Sequence, residues 1–192
     1  MSPFQRAIRD MKTDPEMQTI DVAAQDRDIA FQLLGEGRDD LIALARSMTS
    51  GPEDTIQPNQ AMIEGACRDG ITLLGIMDGR PVSQISISIR PDGAHAAEAW
   101  PSDCGIWIDT IFVDARHRGQ GIGRDTAIAG AEAMGRLLEI SMQLDPHAWE
   151  YLDPDPGAEE TDASRSLVRR IGDSLAQYFE QISSNERTPE CL

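Results

Sequence analysis

Val113-Asp114-Ala115-Arg116-His117-Arg118-Gly119-Gln120-Gly121-Ile122-Gly123-Arg124 follows an apolar run and leads into an alanine-rich stretch of helical spacing. Glycine lacks a Cβ, adopts dihedrals closed to other residues and lets a ligand approach the backbone. At the start of a helix, such a loop presents unpaired N–H groups at the positive end of the helix dipole, which favours an anion such as a pyrophosphate. Arg118 and Arg124 add positive charge at either end. The spacing of Gly119, Gly121 and Gly123 is not that of a dinucleotide-binding fingerprint, and no Gly-Lys-Ser/Thr ending marks a nucleotide triphosphatase loop. The plainer alternative is a glycine-rich turn that only joins strand to helix.

Upstream, Gly105 to Val113 is apolar at almost every position, as a central strand would be, with Asp109 the exception. Ile71 to Met77 and Val82 to Arg90 are two strands joined by a turn at Asp78-Gly79-Arg80-Pro81. In the second, Ile85, Ile87 and Ile89 point one way and Gln84, Ser86, Ser88 and Arg90 the other, so only one face is heavily apolar. Pro91 to Asp103 is a loop. Downstream, Ile122 to Met134 is a helix whose alanines allow close packing on a sheet, Gly135 can end it, and Leu137 to Leu144 supplies another strand.

Toward the N-terminus, Met1, Phe4, Ile8 and Met11 at helical spacing make residues 1–16 an amphipathic lead-in, followed by a strand from Met17 to Val22. Ile29, Leu33 and Leu34, then Leu41, Ile42, Leu44 and Ala45, predict two helices interrupted near Gly35 to Gly37. A third helix runs from Asn59 to Arg68. Beyond Asp145, residues 153–162 read as an irregular acidic loop, Ser164 to Ile182 as a last helix, and 184–192 as a polar tail. One domain over 17–183 is expected.

Thirty-three acidic against 17 basic residues in a chain of 192 give a net charge of −16, a field that repels phosphate backbones and anionic membrane surfaces. Neither nucleic acid nor membrane is an expected partner. The acidity serves solubility or attracts a cationic substrate. Cys67, Cys104 and Cys191 have no spacing that suggests a zinc site or a disulfide framework, so no metal is expected. No apolar run approaches the roughly 20 residues of a membrane span, and the first residues lack the apolar core of a secretion signal. The expected location is the cytoplasm.

In this strand-loop-helix setting, Val113 to Gly123 resembles the signature of the GNAT-type N-acetyltransferase superfamily, Arg/Gln-x-x-Gly-x-Gly/Ala after a strand ending in valine. The resemblance covers roughly Ile71 to Leu144. It implies an α/β (α+β) fold: a mixed, mostly antiparallel sheet flanked by helices and splayed open beside the loop. It implies acetyl-coenzyme A as cosubstrate, its pantetheine between the strand of Ile111, Phe112 and Val113 and the next strand. Its pyrophosphate would lie on the amides of Arg118, Gly119, Gln120, Gly121, Ile122, Gly123 and Arg124. The implied reaction is direct attack of a primary amine, of a small molecule or a protein, on the thioester.

The resemblance makes Asp109 the candidate base, four residues before Val113, in an apolar strand that would raise its pKa. Its alternative is a structural carboxylate bonded to backbone or an arginine. Tyr151 is the candidate donor of a proton to the leaving thiolate, or else a packed or surface aromatic. His117, beside the loop, is a solvated or phosphate-contacting side chain. The last third departs from the family, which ends with a helix and two further strands that are not evident here: they are missing, or a partner chain supplies them in a homodimer, or they are short strands within His147 to Leu152 and near the terminus. Ser83 stands where the family commonly has glycine. A catalytically silent acyl-coenzyme A-binding module is the other function compatible with the loop.

Overall fold

The computed structural model describes residues 2–22, 27–35, 37–52, 70–91, 104–148 and 152–158, together with helical positions at 169, 172, 173 and 176. The Asp-Gly turn organises its centre. Asp78 and Gly79 both hold positive φ (52° and 70°), as a two-residue hairpin turn requires, and Met77 pairs with Arg80 across it. The hairpin joins β3 (Gly70–Met77) to β4 (Arg80–Pro91). With β1 (Thr19–Ile20), β2 (Ala30–Leu33), β5 (Cys104–Val113) and β6 (Leu152–Ala158) it forms a six-stranded sheet in sequence order. Every neighbouring pair is antiparallel except β5 with β6, which is parallel. The mixed, mostly antiparallel sheet expected from the sequence is present.

Helix α1 (Pro3–Thr13) turns the expected lead-in into a packed element: a capping box of Ser2 and Gln5 starts it, and Phe4, Ile8 and Met11 are buried. It packs on α3 (Ile122–Leu144), which lies across the sheet. Between β2 and β3 is α2 (Asp39–Ala45), whose Leu41 and Ala45 pack with Leu34, Met48, Leu74 and Phe112 in a second apolar cluster.

Four expectations are corrected. The helix predicted from Asp28 is strand β2, in which Phe31 and Leu33 are buried and Ala30 is exposed. The expected strand from Leu137 to Leu144 is the second half of α3, which passes through Gly135. Glycine costs a helix interior about 1 kcal/mol, less than the packing gained by burying Leu137, Leu138 and Ser141. Residues 153–158 of the expected acidic loop belong to β6; Pro154 and Pro156 lie where the register shifts between the Gly105–Asp153 and Trp107–Gly157 pairs, a bulge in which proline is tolerated. The strand expected over Met17 to Val22 shrinks to Thr19–Ile20, preceded by a 3-10 turn at Pro15–Met17. The helix read over Asn59 to Arg68 and the loop from 92 to 103 lie outside the described residues, as does most of the last helix.

Opposite residues of paired strands share a face of the sheet. Ile71, Leu73, Ile85, Ile87, Ile106 and Ile108 all join the core cluster with α3 residues, so this face lies under the helix. Spacing there is tight: a Cβ on Gly130 of α3 would lie 2.7 Å from Ile85 Cδ1 and 3.1 Å from Ile87 Cδ1. Ser83 also has its reason. Its hydroxyl accepts from Thr126 Oγ1 at 2.7 Å and sits where a side chain on the paired Gly75 would otherwise lie.

Candidate active site

The loop after β5 is held from behind by Asp114, a fully buried carboxylate that accepts from the amides of Thr49 (2.8 Å) and Arg116 (2.9 Å) and from Arg116 Nε and Nη2 at 2.9 and 2.7 Å. Arg116's hydrogen bonds, with those amides, hold its carboxyl far below the usual range despite its burial. Arg116 is therefore occupied in positioning the loop. The chain then turns through Gly119 and Gly121, at φ 73° and 82°, and Gly121 caps α3. No L side chain adopts those angles cheaply, and Ile122 anchors the first turn of the helix in the core. Gly123 differs: a Cβ there would meet only Val113 Cγ2 at 3.6 Å, an ordinary contact, so the fold does not itself require glycine at that position.

Gly119, Gln120, Gly121 and Arg124 are exposed, so the loop is presented to solvent as the sequence predicts. Arg118 is exposed as well. Its Nε donates to the Val113 carbonyl at 3.1 Å and its guanidinium lies 5.7 Å from the Phe112 ring centroid, so it braces the end of β5. His117 closes a short 3-10 turn at Ala115–His117.

Register between β5 and β6 runs from Cys104 with Leu152 to Ile108 with Ala158, the last described residue of β6, and Asp109 to Val113 have no partner on that side among the described residues. This half of β5, with Ile111, Phe112 and Val113, leads into the glycine loop. The strand beside β5 is β6 rather than residues 137–144.

Asp109 stands at the start of this half of β5, in a β-bulge: Ser86 pairs with Thr110 and Ile87 with Ile108, leaving Asp109 as the extra residue. The bulge turns its carboxylate to the face opposite α3, where Arg90 Nη2 donates to Oδ1 and Arg90 Nε donates to Ser88 Oγ at 2.8 Å. Asp109 Oδ2 is buried with no hydrogen-bond partner among the described residues. Burial pushes its carboxyl above the ordinary value, opposed by the neighbouring Ser88 hydroxyl and by the charge and hydrogen bond of Arg90. One carboxylate oxygen is thus bonded to an arginine, and the other is buried without a partner among the described residues.

Sequence reasoning missed the surroundings of that carboxylate. Thr72, Gln84, Ser86 and Ser88 share its face and are buried, with Thr72 Oγ1 and Ser86 Oγ 3.0 Å apart and Gln84 Nε2 donating to Ser86 at 3.4 Å. The only sequence signal was alternation, which reads a polar face as solvated. Trp107, paired with Ser88 and 37% exposed, stands on this face two residues before Asp109. Arg27 was missed as well; it lies over Gly121 and forms an ion pair of 3.4 Å with the buried Asp125. Tyr151, Trp149 and His95 lie outside the described residues. Among the described residues no cluster of His, Cys, Asp and Glu could hold a metal ion, and no helix is long and apolar enough to cross a membrane.

The profile of the Acetyltransferase (GNAT) family matches residues 39–156. No curated protein matches the chain. Among solved structures, the chain is similar to an aminoglycoside acetyltransferase from an uncultured soil metagenomic sample in complex with sisomicin, with 10% identity, TM-score 0.42 and coverage of 74% of this chain and 86% of that one. It is also similar to a ribosomal-protein-alanine N-acetyltransferase from Brucella melitensis biovar Abortus, with 18% identity, TM-score 0.41 and coverage of 74% and 89%. A third is the aminoglycoside N-acetyltransferase AAC(6')-Iy in complex with CoA, at 12% identity, TM-score 0.39 and coverage of 80% and 90%.

Proposed function

The chain belongs to the acetyltransferase (GNAT) family, and from that premise we propose that it transfers an acetyl group from acetyl-coenzyme A to a primary amine by direct attack. One observation carries the proposal. The half of β5 that has no β6 partner among the described residues leads straight into the exposed glycine loop, and Asp109 stands at its head with a carboxylate oxygen that is buried without a hydrogen-bond partner among those residues.

In this reading the pyrophosphate rests on the amides of residues 118–124, and the pantetheine runs along the backbone of Ile111 to Val113. The thioester then lies near Asp109. Oδ2 accepts the proton that the amine loses as it attacks the carbonyl carbon, and the raised carboxyl pKa makes Asp109 a stronger base than an ordinary aspartate. Arg90 holds the other oxygen and fixes the direction of the carboxylate. The amine reaches it from the face of Trp107 and Ser88, and the leaving thiolate's proton is assigned to Tyr151 on the resemblance alone.

Free thiol release from acetyl-coenzyme A across polyamines, aminoglycosides, amino acids and peptide N-termini tests the proposal. Release with at least one amine, lost in Asp109→Asn, is the expected result. Cofactor binding with silence across the panel would favour the acyl-coenzyme A-binding module. An unchanged rate in Tyr151→Phe would remove the tyrosine from the reaction.

A further inference from the structure

Two arginines near the glycine loop are engaged with the end of β5 and the residues after it, and Arg124 is exposed. Arg116 is tied to Asp114, and Arg118 to the Val113 carbonyl and the Phe112 ring. An arginine from a distant part of the chain lies over the loop instead. Arg27, between β1 and β2, places Nη1 and Nη2 3.3 and 3.7 Å from the position a Cβ on Gly121 would occupy. Glycine is needed at 121 for its φ of 82°, and the guanidinium lies within close contact of the space a side chain there would take.

Asp125, in the first turn of α3, makes this placement chemically necessary. Its side chain is 5% exposed, and a carboxylate beside the amides that receive a pyrophosphate repels that anion in a medium that screens poorly. Arg27 Nη1 lies 3.4 Å from Asp125 Oδ2. That is one long hydrogen bond for a group with several N–H donors, and the Arg27 side chain keeps 32% of its surface exposed.

We infer that Arg27 is a cofactor-binding residue, which neutralises Asp125 with one edge of its guanidinium and donates to the pyrophosphate of coenzyme A with another. The inference rests on the coenzyme A reading of the loop. A guanidinium suits the role because its planar fork can serve two oxyanions at once.

Equilibrium titration of the full chain with coenzyme A and with dephospho-coenzyme A, at several salt concentrations, tests it in the wild type, Arg27→Gln, Asp125→Asn and the double variant. Arg27→Gln should weaken both ligands by the same factor, about ten-fold or more, and make the salt dependence of Kd shallower, since one ion contact is lost. Asp125→Asn should bind at least as tightly as wild type and restore part of the affinity when combined with Arg27→Gln. A merely structural Arg27 would leave the salt dependence unchanged. If Arg27→Gln does not fold, the Asp125→Asn arm still decides, because weaker binding there contradicts the predicted repulsion. Unchanged affinity in a folded Arg27→Gln would overturn the inference, and so would a loss confined to coenzyme A, which would place Arg27 on the 3′-phosphate. A wild type that binds neither ligand would overturn the coenzyme A reading itself.

Discussion

On the side of β4 that faces α3, Ile85 and Ile87 lie against Gly130; on the other, Gln84, Ser86 and Ser88 are just as buried and wholly polar. Burying each isoleucine removes apolar surface from water and stabilises the fold by roughly 2–3 kcal/mol. Burying a hydroxyl or amide gains about 1 kcal/mol when its hydrogen bonds are made and loses more when they are not. Gln84 Oε1 is buried without a hydrogen-bond partner among the described residues, as is Asp109 Oδ2 on the same face. A sheet built for stability alone would not be made this way. In the proposed reading, the face under α3 holds the fold together, while on the opposite face the polar stretch around Asp109 serves chemistry beside the apolar cluster of Leu74 and Phe112.

The largest way to break that division is Asp109→Asn. Thiol release should fall by about 10²-fold or more, the usual contribution of a positioned base. Stability should stay level or rise, because burial has raised the native carboxyl pKa, so the charged form at neutral pH opposes folding. Thermal unfolding beside the rate assay checks both; a parallel loss of Tm and activity would make Asp109 structural. Next in size, Ile85→Ala should cost about 2–4 kcal/mol in denaturant unfolding through the cavity it leaves under α3. Its rate per folded molecule should be unchanged.

The same contrast explains what the sequence disclosed. The glycine loop and the Asp-Gly hairpin were legible because every residue that shapes them is a neighbour in the chain. Ile29, Leu33 and Leu34 misled because Leu33 and Leu34 pack into different clusters on opposite faces of the sheet, which mimics helical spacing. Gly135 misled because packing along α3 outweighs a local preference. β6 carries Pro154, Pro156 and Gly157, and only its parallel pairing with β5 makes it a strand. Arg27 and Arg90 could not be found from the sequence, because their carboxylate partners are 98 and 19 residues away.

A pH profile sharpens the comparison. An activity that needs ionised Asp109 rises with pH through its native pKa, which lies above the ordinary 3.8. Stability runs the other way, present below the unfolded value and lost as pH rises through the native one. Arg90 lowers this pKa by charge and hydrogen bond, so Arg90→Gln should move the acid limb of kcat/KM to higher pH. Asp109→Asn should abolish the limb. A limb that stays in place in Arg90→Gln would mean that another group sets it.

The smallest effect lies with the paired hydroxyls of Thr72 and Ser86, 3.0 Å apart and buried. Replacing one strands the other, so Thr72→Val or Ser86→Ala alone should cost at least about 1 kcal/mol. Replacing both removes the need along with that bond, and the double variant should recover part of the Ser86→Ala loss, staying about 1 kcal/mol below wild type because buried Gln84 Nε2 loses its acceptor. If this face existed only to fill space, activity per folded molecule would match wild type. If it forms the polar surroundings of Asp109, the double variant should recover part of its Tm while its KM for the amine stays several-fold raised, because Gln84 then loses the Ser86 hydroxyl that receives its Nε2.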